Sequence, residues 1–412
     1  MASGHRMSAP IPADQVHAVS PVHAAHTPIH RVVMAERESA PARLTALASL
    51  PVDAWESLAA HAIEPNACYL PAWALAVAHH ARGRGDALAL AAFDCAAPDR
   101  LTGLMPVRWA KRALSLPVPL LVSWNAYAPF SVPLLDRDCA VHAAGAMIDA
   151  ARTAGARALL LQSVATGGPA YAALRAALHQ RSLKSEVMRS FRRAALDARQ
   201  NEDTVLREAL SAKKLKELRR QRNRLEDAGP VTFEIASTPE QIGPALEAFL
   251  ALEAAGWKGQ RGTALVQDHG DAAFIREAAT ALAARGQFEI VSLMRGGATL
   301  ASGLMLRDAG RAFFFKIAMD ETQARTSPGM QLTLDLTTHL CADGAIVFAD
   351  STADGEHPMI DHVWRERIEI ADVFVPLSPR DPYALAIRAL VAARYSAINA
   401  VRSIRRIKEN LS

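Results

Sequence analysis

The chain contains an internal repeat, and this repeat constrains the fold more than any other feature of the sequence. Gly103-Leu104-Met105 recurs as Gly303-Leu304-Met305, and each copy follows a strand-like run and a polar turn. A strand, a polar turn and a second strand predict a β-hairpin in each copy. Two helical patterns precede each hairpin, at residues 55–61 and 71–80 in the first copy and at residues 245–254 and 272–284 in the second. The repeat therefore predicts two α/β units of the same build.

The correspondence continues downstream and suggests the domain boundaries. In each copy a helix ends at a glycine before an apolar strand, with residues 140–153 preceding 158–161 and residues 330–342 preceding 345–348. A chain of 412 residues also exceeds the ~250–300 residues at which a single hydrophobic core stops growing. We expect a flexible leader, an N-terminal domain, a basic connecting helix, a C-terminal domain and a basic helical tail, at residues 1–38, 39–200, 201–228, 229–378 and 379–412.

Composition and missing motifs exclude several classes of protein. Half of the residues are apolar and 21% are charged, which is typical of a globular chain. The four cysteines form no C-x-x-C pair and the histidines of the leader have no thiol or carboxylate partner, so we expect no metal site. We expect neither a membrane span nor a secretory signal. The widely spaced cysteines fit the reducing cytoplasm, where we expect the protein to lie. Motifs of serine hydrolases, zinc proteases, P-loop NTPases and Rossmann dehydrogenases are absent.

A cluster of bases lies between the two copies, in a segment whose apolar spacing predicts a helix. Only Glu217 opposes the bases Lys213, Lys214, Lys216, Arg219, Arg220, Arg222 and Arg224. One interpretation is a solvated helix face. The other is a surface that contacts the phosphates of RNA or of a nucleotide-linked substrate. The sequence leaves both open.

Three segments of the second copy resemble GNAT-superfamily acyltransferases. They are LEAAGWKGQRGTAL at 252–265, FFFKIAMDETQARTSPGMQL at 313–332 and HPMIDHVWRERIEI at 357–370. Within that superfamily the chain is similar, over residues 43–375, to the CelD-like proteins of cellulose and polysaccharide biosynthesis, which are relatives of the FemABX group. The resemblance implies an α/β fold of two tandem GNAT-like domains, with mixed central sheets flanked by helices. It also implies N-acyl transfer from acetyl-CoA or another acyl-CoA to an amine of a sugar, an amino acid or a surface-polysaccharide precursor.

An acyl-CoA site needs main-chain amides and a helix N-terminus for its phosphates. Ser327, Gly329 and Met330 at the predicted helix start meet this need, and Arg325 adds a cation nearby. GNAT proteins carry an R/Q-x-x-G-x-G/A pattern at this position, whereas this chain has a single glycine in a shifted register. The resemblance further implies that strand 311–318 splays from strand 345–350. The N–H of Ala318 or Met319 would then stabilise the oxyanion.

Four side chains are candidates for catalysis. Glu253, Asp350 and His357 could each accept the proton of the attacking amine, Asp350 because we expect it to point into the cleft. Asp350 could equally cap the next turn, His357 could bond to the backbone, and Glu253 could be a surface residue. Lys316 shares a strand face with Phe314 in an uninterrupted strand, and its partner would be a substrate anion or one of Asp350 and Glu356.

Two tryptophan–cation pairs are candidates for substrate binding. Trp257 with Lys258, and Trp364 with Arg365, could stack on a sugar or base while holding an anion, or the rings could belong to the core.

Two further functions stay open at this stage. A FemABX-like ligase would take aminoacyl-tRNA, with a tRNA contact through the bases from Lys213 to Arg224. The other possible function is that of a non-catalytic component of a polysaccharide-synthesis complex. The basic tail could lie on an anionic membrane or pack on the second domain. Acyl length, acceptor and oligomeric state are not indicated by the sequence.

Overall fold

The computed structural model describes residues 39–83, 85–110, 118–124 and 126–411, with side chains for all of these except 39–41, 399 and 401–411. The expected leader, residues 1–38, lies outside the described residues, as do its histidines. Among the described helices none has the length and apolar character that crossing a membrane requires.

The first half of the chain follows the predicted order of elements. Its helices and strands are β1 (Ser39–Ala46), α1 (Val52–Ala60), α2 (Pro71–His80), β2 (Leu88–Asp94), β3 (Leu101–Trp109), β4 (Leu120–Ser123), β5 (Leu134–Leu135), α3 (Ala140–Thr153), β6 (Ala158–Ala165), α4 (Pro169–Gln180) and β7 (Glu186–Asp197).

The second half follows two connecting helices. With them, its elements are α5 (Glu202–Ala209), α6 (Ala212–Glu226), β8 (Val231–Ala236), α7 (Pro239–Ala255), α8 (Trp257–Gln260), α9 (His269–Ala283), β9 (Phe288–Arg295), β10 (Ala298–Asp308), β11 (Arg311–Met319), α10 (Pro328–Ala342), β12 (Phe348–Asp350), β13 (Glu366–Pro376) and α11 (Pro382–Leu411). Among the described residues it repeats the order of the first half as far as β12, without a counterpart of β5 and without a helix like α4 before its last strand.

The described strands form one sheet in which the two halves exchange a strand. The order is β1-β2-β3-β4-β6-β13-β7-β12-β11-β10-β9-β8, with β5 beside β3. Strand β7 of the first half pairs with β12 of the second, and β13 of the second half pairs with β6 of the first. Strands β7 and β13 pair with each other at the centre. Only β4 with β6 and β11 with β12 are parallel among the described pairs, at matching places in the two halves. The protein is thus α/β, with a mixed sheet flanked by helices.

The largest hydrophobic cluster spans both halves. Trp73 on α2 packs edge-on against Phe274 on α9 and Phe315 on β11, with ring centroids 5.0 and 4.9 Å apart. Such aromatic pairs add to the free energy gained from burying the rings. The contact fixes the position of α9 and β11 against the first half.

Several predicted elements differ in their bounds, and three of the differences concern the connecting helix, β12 and the tail. The expected connecting helix is two helices, because the Ser211 side chain accepts a hydrogen bond from the Lys214 amide and starts a new helix there. Strand β12 begins at Phe348 instead of Ala345. The tail is a single helix, and the side chains of its last bases, from Arg402 onwards, lie outside the described residues.

Candidate functional site

Strands β11 and β12 part soon after they meet, and a slot opens between them. They pair at only three positions, the last being Phe313 with Asp350. At the point of divergence the Thr352 hydroxyl donates a hydrogen bond of 2.7 Å to the Phe314 carbonyl. Thr352 has a φ of 50°, which is unusual for a β-branched residue and is often retained at functional sites. The expected splay of these strands is present.

Main-chain groups of β11 line the slot. The Asp320 amide bonds to the Leu300 carbonyl on β10 at 2.8 Å. Because antiparallel pairing alternates, the Ala318 N–H also faces β10, while the N–H groups of Ile317 and Met319 face the slot. Of the two amides expected to serve as oxyanion donors, Met319 is therefore in position and Ala318 is not.

A cavity of about 340 Å³ lies along this edge of β11. Its walls combine the apolar side chains of Leu252, Met319 and Met359 with the polar residues Glu253, Lys258, Glu321 and His357. A second cavity of about 160 Å³ continues towards Thr352 and shares Lys258, Ile317, His357 and Met359 with the first. The slot therefore has room for a small molecule with an apolar part and a polar part.

Glu253 on α7 is the electrostatic centre of the slot. Its fully buried carboxylate accepts hydrogen bonds from Lys316 Nζ at 2.9 Å, Lys258 Nζ at 3.3 Å and the Leu265 amide at 2.8 Å. Burial alone would raise the pKa of Glu253, but Lys316, the Leu265 amide and Lys258 together hold it below its ordinary value. Glu253 is thus an ionised anchor for two lysines and not the surface residue that one interpretation allowed.

Lys258 connects both cavities. Its ammonium also donates to the Ile317 carbonyl at 3.0 Å. Burial, followed by the charge of Lys316, lowers the pKa of Lys258. A partly desolvated cation with a single carboxylate shared between two lysines can bind an anionic ligand group.

The expectation for the face of Lys316 was wrong, and its ammonium has a partner that the sequence did not indicate. It pairs with Glu253, while Asp350 pairs with Arg193. A β-bulge shifts the register of β10 and β11 between Lys316 and Phe314, so the period-2 alternation breaks. Phe314 packs in the cluster around Trp364, whereas Lys316 reaches α7 on the other side of the sheet.

His357 lies in the slot and bonds to its own turn. Its Nδ1 accepts from the amides of Met359 and Ile360 at 3.3 and 3.4 Å. Burial lowers the pKa of His357; Asp361 and Asp354 oppose this shift, and Lys258 adds to it. The ring is therefore neutral near pH 7, with Nδ1 as an acceptor and the proton on Nε2.

Asp350 does not point into the slot, contrary to expectation. It is buried and forms an ion pair of 3.2 Å with Arg193 on β7. It also accepts a hydrogen bond of 2.7 Å from the Thr352 amide. Arg193 in turn donates to the Pro129 carbonyl at 2.7 Å. The carboxylate is held in the sheet centre by a charge from the first half, and it also caps the following turn.

The two tryptophans have different environments. Trp257 is 46% exposed at the rim of the larger cavity, with the Arg261 guanidinium 4.9 Å from its ring centroid. Trp364 is fully buried and donates to the Thr337 hydroxyl at 3.0 Å, so its expected substrate contact was wrong and it is a core residue.

The turn at 327–329 is less open than expected. The amides of Met330 and Gln331 already bond to the Ser327 carbonyl. Gly329 is buried, and a side chain added there would meet the thioethers of Met319 and Met359. Arg325 is exposed beside this turn. The amides of Ser327 and Met330 are therefore already used in bonds within the turn, and the Cα of Gly329 faces the methionines of the slot.

Helix α6 packs next to this turn and presents bases to solvent. The buried Gln331 side chain donates to the Leu218 carbonyl of α6 at 2.9 Å. Arg222 pairs with Asp335 on α10 at 2.8 Å and anchors the helix. The exposed bases without an ion-pair partner among the described residues are Lys213, Lys216, Arg219, Arg220 and Arg224.

The slot residues that sequence reasoning missed include Leu252, Ile317, Glu321, Thr352 and Met359. The Glu321 carboxylate accepts a hydrogen bond of 2.8 Å from the Trp257 amide, and both residues line the larger cavity of the slot. The position of Glu321 two residues after the end of β11 was the available signal, since the loops that follow strands often carry site residues.

The matching place in the first half is filled by the chain itself. Strands β4 and β6 also pair at three positions and then part. Residues 126–132 lie there, with the Ser131 amide bonded to the Ser163 carbonyl at 3.1 Å and Phe130 buried. The open slot therefore belongs to the second half.

One family of known proteins matches within the second half of the chain and the helix α6 before it. Residues 212–355 match the family model described as an acetyltransferase (GNAT) domain. The C-terminal domain of a provisionally assigned lysylphosphatidylglycerol synthetase from Agrobacterium fabrum is 14% identical with a TM-score of 0.51, over 82% of this chain and 94% of that chain. FemX is 11% identical with a TM-score of 0.50, over 79% of this chain and 95% of that chain. A comparison with curated protein sequences gave no match. The structural likeness shows a shared GNAT-like fold.

Proposed function

We propose that the protein transfers an acyl group to an amine in the slot between β11 and residues 351–360. The observation that carries the proposal is the parting of β11 from β12, which leaves the N–H groups of Ile317 and Met319 on a cavity walled by Lys258 and His357. The match of residues 212–355 to a GNAT domain supports the same reaction class.

The chemistry follows from these groups. The amine nitrogen attacks the acyl carbonyl carbon, and an N–H of β11 stabilises the oxyanion, a contribution of ~3–4 kcal/mol to the barrier in comparable sites. When the intermediate collapses, the bond to the leaving group breaks and the leaving group takes up the proton that the amine gives up. Glu253 acts by holding Lys258 and Lys316 in place, because its lowered pKa makes it a poor base. We assign no catalytic role to Asp350.

We propose acetyl-CoA or another acyl-CoA as the donor and a sugar, amino acid or polysaccharide precursor as the acceptor, in the cytoplasm and without a metal. The apolar walls of Leu252, Met319 and Met359 suit an acyl chain, and the Lys258 ammonium suits an anionic group. Donor at about 100 times its dissociation constant should stabilise the fold by ~2.7 kcal/mol.

The test is the thermal shift with acetyl-CoA, longer acyl-CoAs and free CoA, followed by release of free thiol when amines are added. Lys258→Met should weaken donor binding, while Lys184→Met, an exposed lysine outside the slot, should leave it unchanged. Stabilisation without any thiol release would support binding and contradict transfer from CoA.

A second candidate donor is aminoacyl-tRNA, and a specific observation favours it. The exposed bases of α6 lie beside the turn that precedes α10, next to the slot. If these bases bind phosphates, neutralising one of them should reduce the salt slope of binding by about 0.7–0.9. Arg220→Gln should show this reduction with aminoacyl-tRNA, and Arg175→Gln, an exposed arginine on α4, should not. A slope unchanged by Arg220→Gln contradicts this candidate.

A non-catalytic role in a polysaccharide-synthesis complex remains as the alternative to both donors. It is favoured if neither acyl-CoA nor aminoacyl-tRNA stabilises the protein.

A further inference from the structure

Helix α11 has two faces, and only one of them is covered. Ala384, Ile387 and Val391 recur every three or four residues and are buried, and Tyr395 continues this inner face. Ile387, Val391 and Tyr395 pack on apolar residues of the sheet, among them Leu160 on β6 and Phe374 on β13. This inner face fixes the helix to the outside of the sheet.

The outer face of α11 is apolar and unpartnered in the part of the chain that the structure describes. Ala386, Leu390, Ala393 and Ala397 share this face and are all exposed. Large apolar side chains are exposed on and beside it, with Leu390 at 52% and Leu385 at 59%; Tyr383, at 65%, has the Arg157 guanidinium on its ring. A run of this length is uncommon on a helix that faces only water.

The helix is also strongly basic. Residues 382–411 contain Arg388, Arg394, Arg402, Arg405, Arg406 and Lys408 against the single acid Glu409. Near its start, the exposed Lys184 and Arg380 lie on the rim of a cavity of about 750 Å³ and have no ion-pair partner among the described residues. Of the two described bases on the helix, Arg388 pairs with Glu186 at 2.8 Å, while Arg394 is exposed.

We propose that the outer face of α11 docks on the surface of an anionic lipid bilayer. An amphipathic helix with low net hydrophobicity and many bases lies in the plane of such a surface, with its apolar face in the boundary between headgroups and acyl chains. The exposed Arg394 on the helix, with Lys184 and Arg380 near its start, meets anionic headgroups. A second copy of the chain fits this face less well, because pairing two such helices would bring two sets of bases together.

The test is co-sedimentation of the full chain with vesicles. The probes are vesicles of phosphatidylcholine alone and of equimolar phosphatidylcholine and phosphatidylglycerol. Binding should require the anionic lipid and weaken with added salt. Leu390→Glu should lower the partition coefficient about tenfold or more, because it puts a charge into the apolar face and next to anionic lipid. Val52→Glu makes the same change at an exposed site at the start of α1 and should leave partition unchanged.

Three results would overturn the proposal. The first is equal binding of the native chain and Leu390→Glu to anionic vesicles. The second is absence of binding to those vesicles at low salt. The third is self-association in place of vesicle binding. In that case the mass of the native chain, measured by sedimentation, rises with concentration, Leu390→Glu removes this rise, and the native chain does not bind vesicles. The face would then be an interface between copies. Circular dichroism of each variant confirms that the fold is intact.

Discussion

At the scale of single residues, the slot depends on one buried carboxylate shared by two lysines. Glu253 binds Lys316 and Lys258, and Lys258 also bonds to the carbonyl of Ile317 on the slot edge. The charges hold one another, because a buried ion is stable only when it is paired and hydrogen-bonded. Glu253 therefore sets the geometry of the cation that faces the cavity.

Glu253→Gln should destabilise the protein by about 3–5 kcal/mol at pH 7, because it leaves two partly buried lysines without a counter-charge. Lys316→Met should cost less, since Lys258 still pairs with the carboxylate. The pKa of Glu253 is lowered in the fold, so its contribution is present above the ordinary glutamate pKa of about 4.3 and is lost as pH falls through the lower folded value. The free energy of unfolding of the native chain and both variants, measured by urea unfolding at several pH values, tests this prediction. If Glu253→Gln remains less stable than the native chain by the same amount in acid, the prediction is wrong.

Variants of His357 test whether this side chain acts by accepting hydrogen bonds from the main chain of its turn. Its Nδ1 accepts hydrogen bonds from two main-chain amides of the turn 357–360. The side-chain carbonyl of an asparagine can accept the same hydrogen bonds. We predict that His357→Asn retains most of the acyl-transfer rate, while His357→Ala loses it together with the order of the turn. The pKa of His357 is lowered, so the turn is intact above this value and opens as pH falls below it. Equal loss in both variants would instead indicate a direct role of the ring in proton transfer.

At the scale of secondary-structure elements, local sequence signals predicted where the helices lie. The positions of side chains in and around the slot depend instead on pairing between strands that are distant in the sequence. Helices α2 and α3 have the bounds that the periodicity predicts, because Pro71 starts one and Gly155 follows the end of the other. The bulge that turns Lys316 towards α7 has no sequence signal, since a period-2 pattern assumes an uninterrupted strand. The ion pair of Asp350 with Arg193 was equally invisible, because it joins neighbouring strands that are far apart in the sequence.

Asp350→Asn separates the structural role of this ion pair from catalysis. It leaves the fully buried Arg193 charge unpaired and should destabilise the protein by about 3–5 kcal/mol. The dissociation constant of the acyl donor should change less than about twofold, because Asp350 does not face the cavity. The control is Asp197→Asn, which removes a carboxylate whose partner Arg199 is exposed, and it should cost much less. Thermal melts and donor titrations of both variants decide between these roles.

At the scale of the whole molecule, the exchange of strands makes the two halves one folding unit. Strand β7 finds its partners β12 and β13 in the second half, and β13 pairs with β6 in the first. The repeat predicted two similar units but not the exchange, because the sequence pattern of a strand does not specify which strand lies beside it. Both halves have a pair of strands that part, but in the part of the chain that the structure describes only the second-half slot is open, because residues 126–132 fill its counterpart.

We therefore predict that residues 39–200 and residues 201–412, expressed separately, will not fold, because each leaves β7 or β13 without neighbours. The full chain should unfold in one cooperative transition, measured by near-ultraviolet circular dichroism during thermal unfolding. A half that folds as a monomer with native-like near-ultraviolet signal would show that the exchange is dispensable.

Protection of a single thiol tests most directly that the acyl donor binds in the slot. Met319→Cys places the thiol where β11 faces the cavity, and the exposed Cys95 of the first half serves as an internal control. With donor at about 100 times its dissociation constant, modification at position 319 should slow about 100-fold while that of Cys95 is unchanged. Equal modification rates at position 319 with and without any donor would contradict the account.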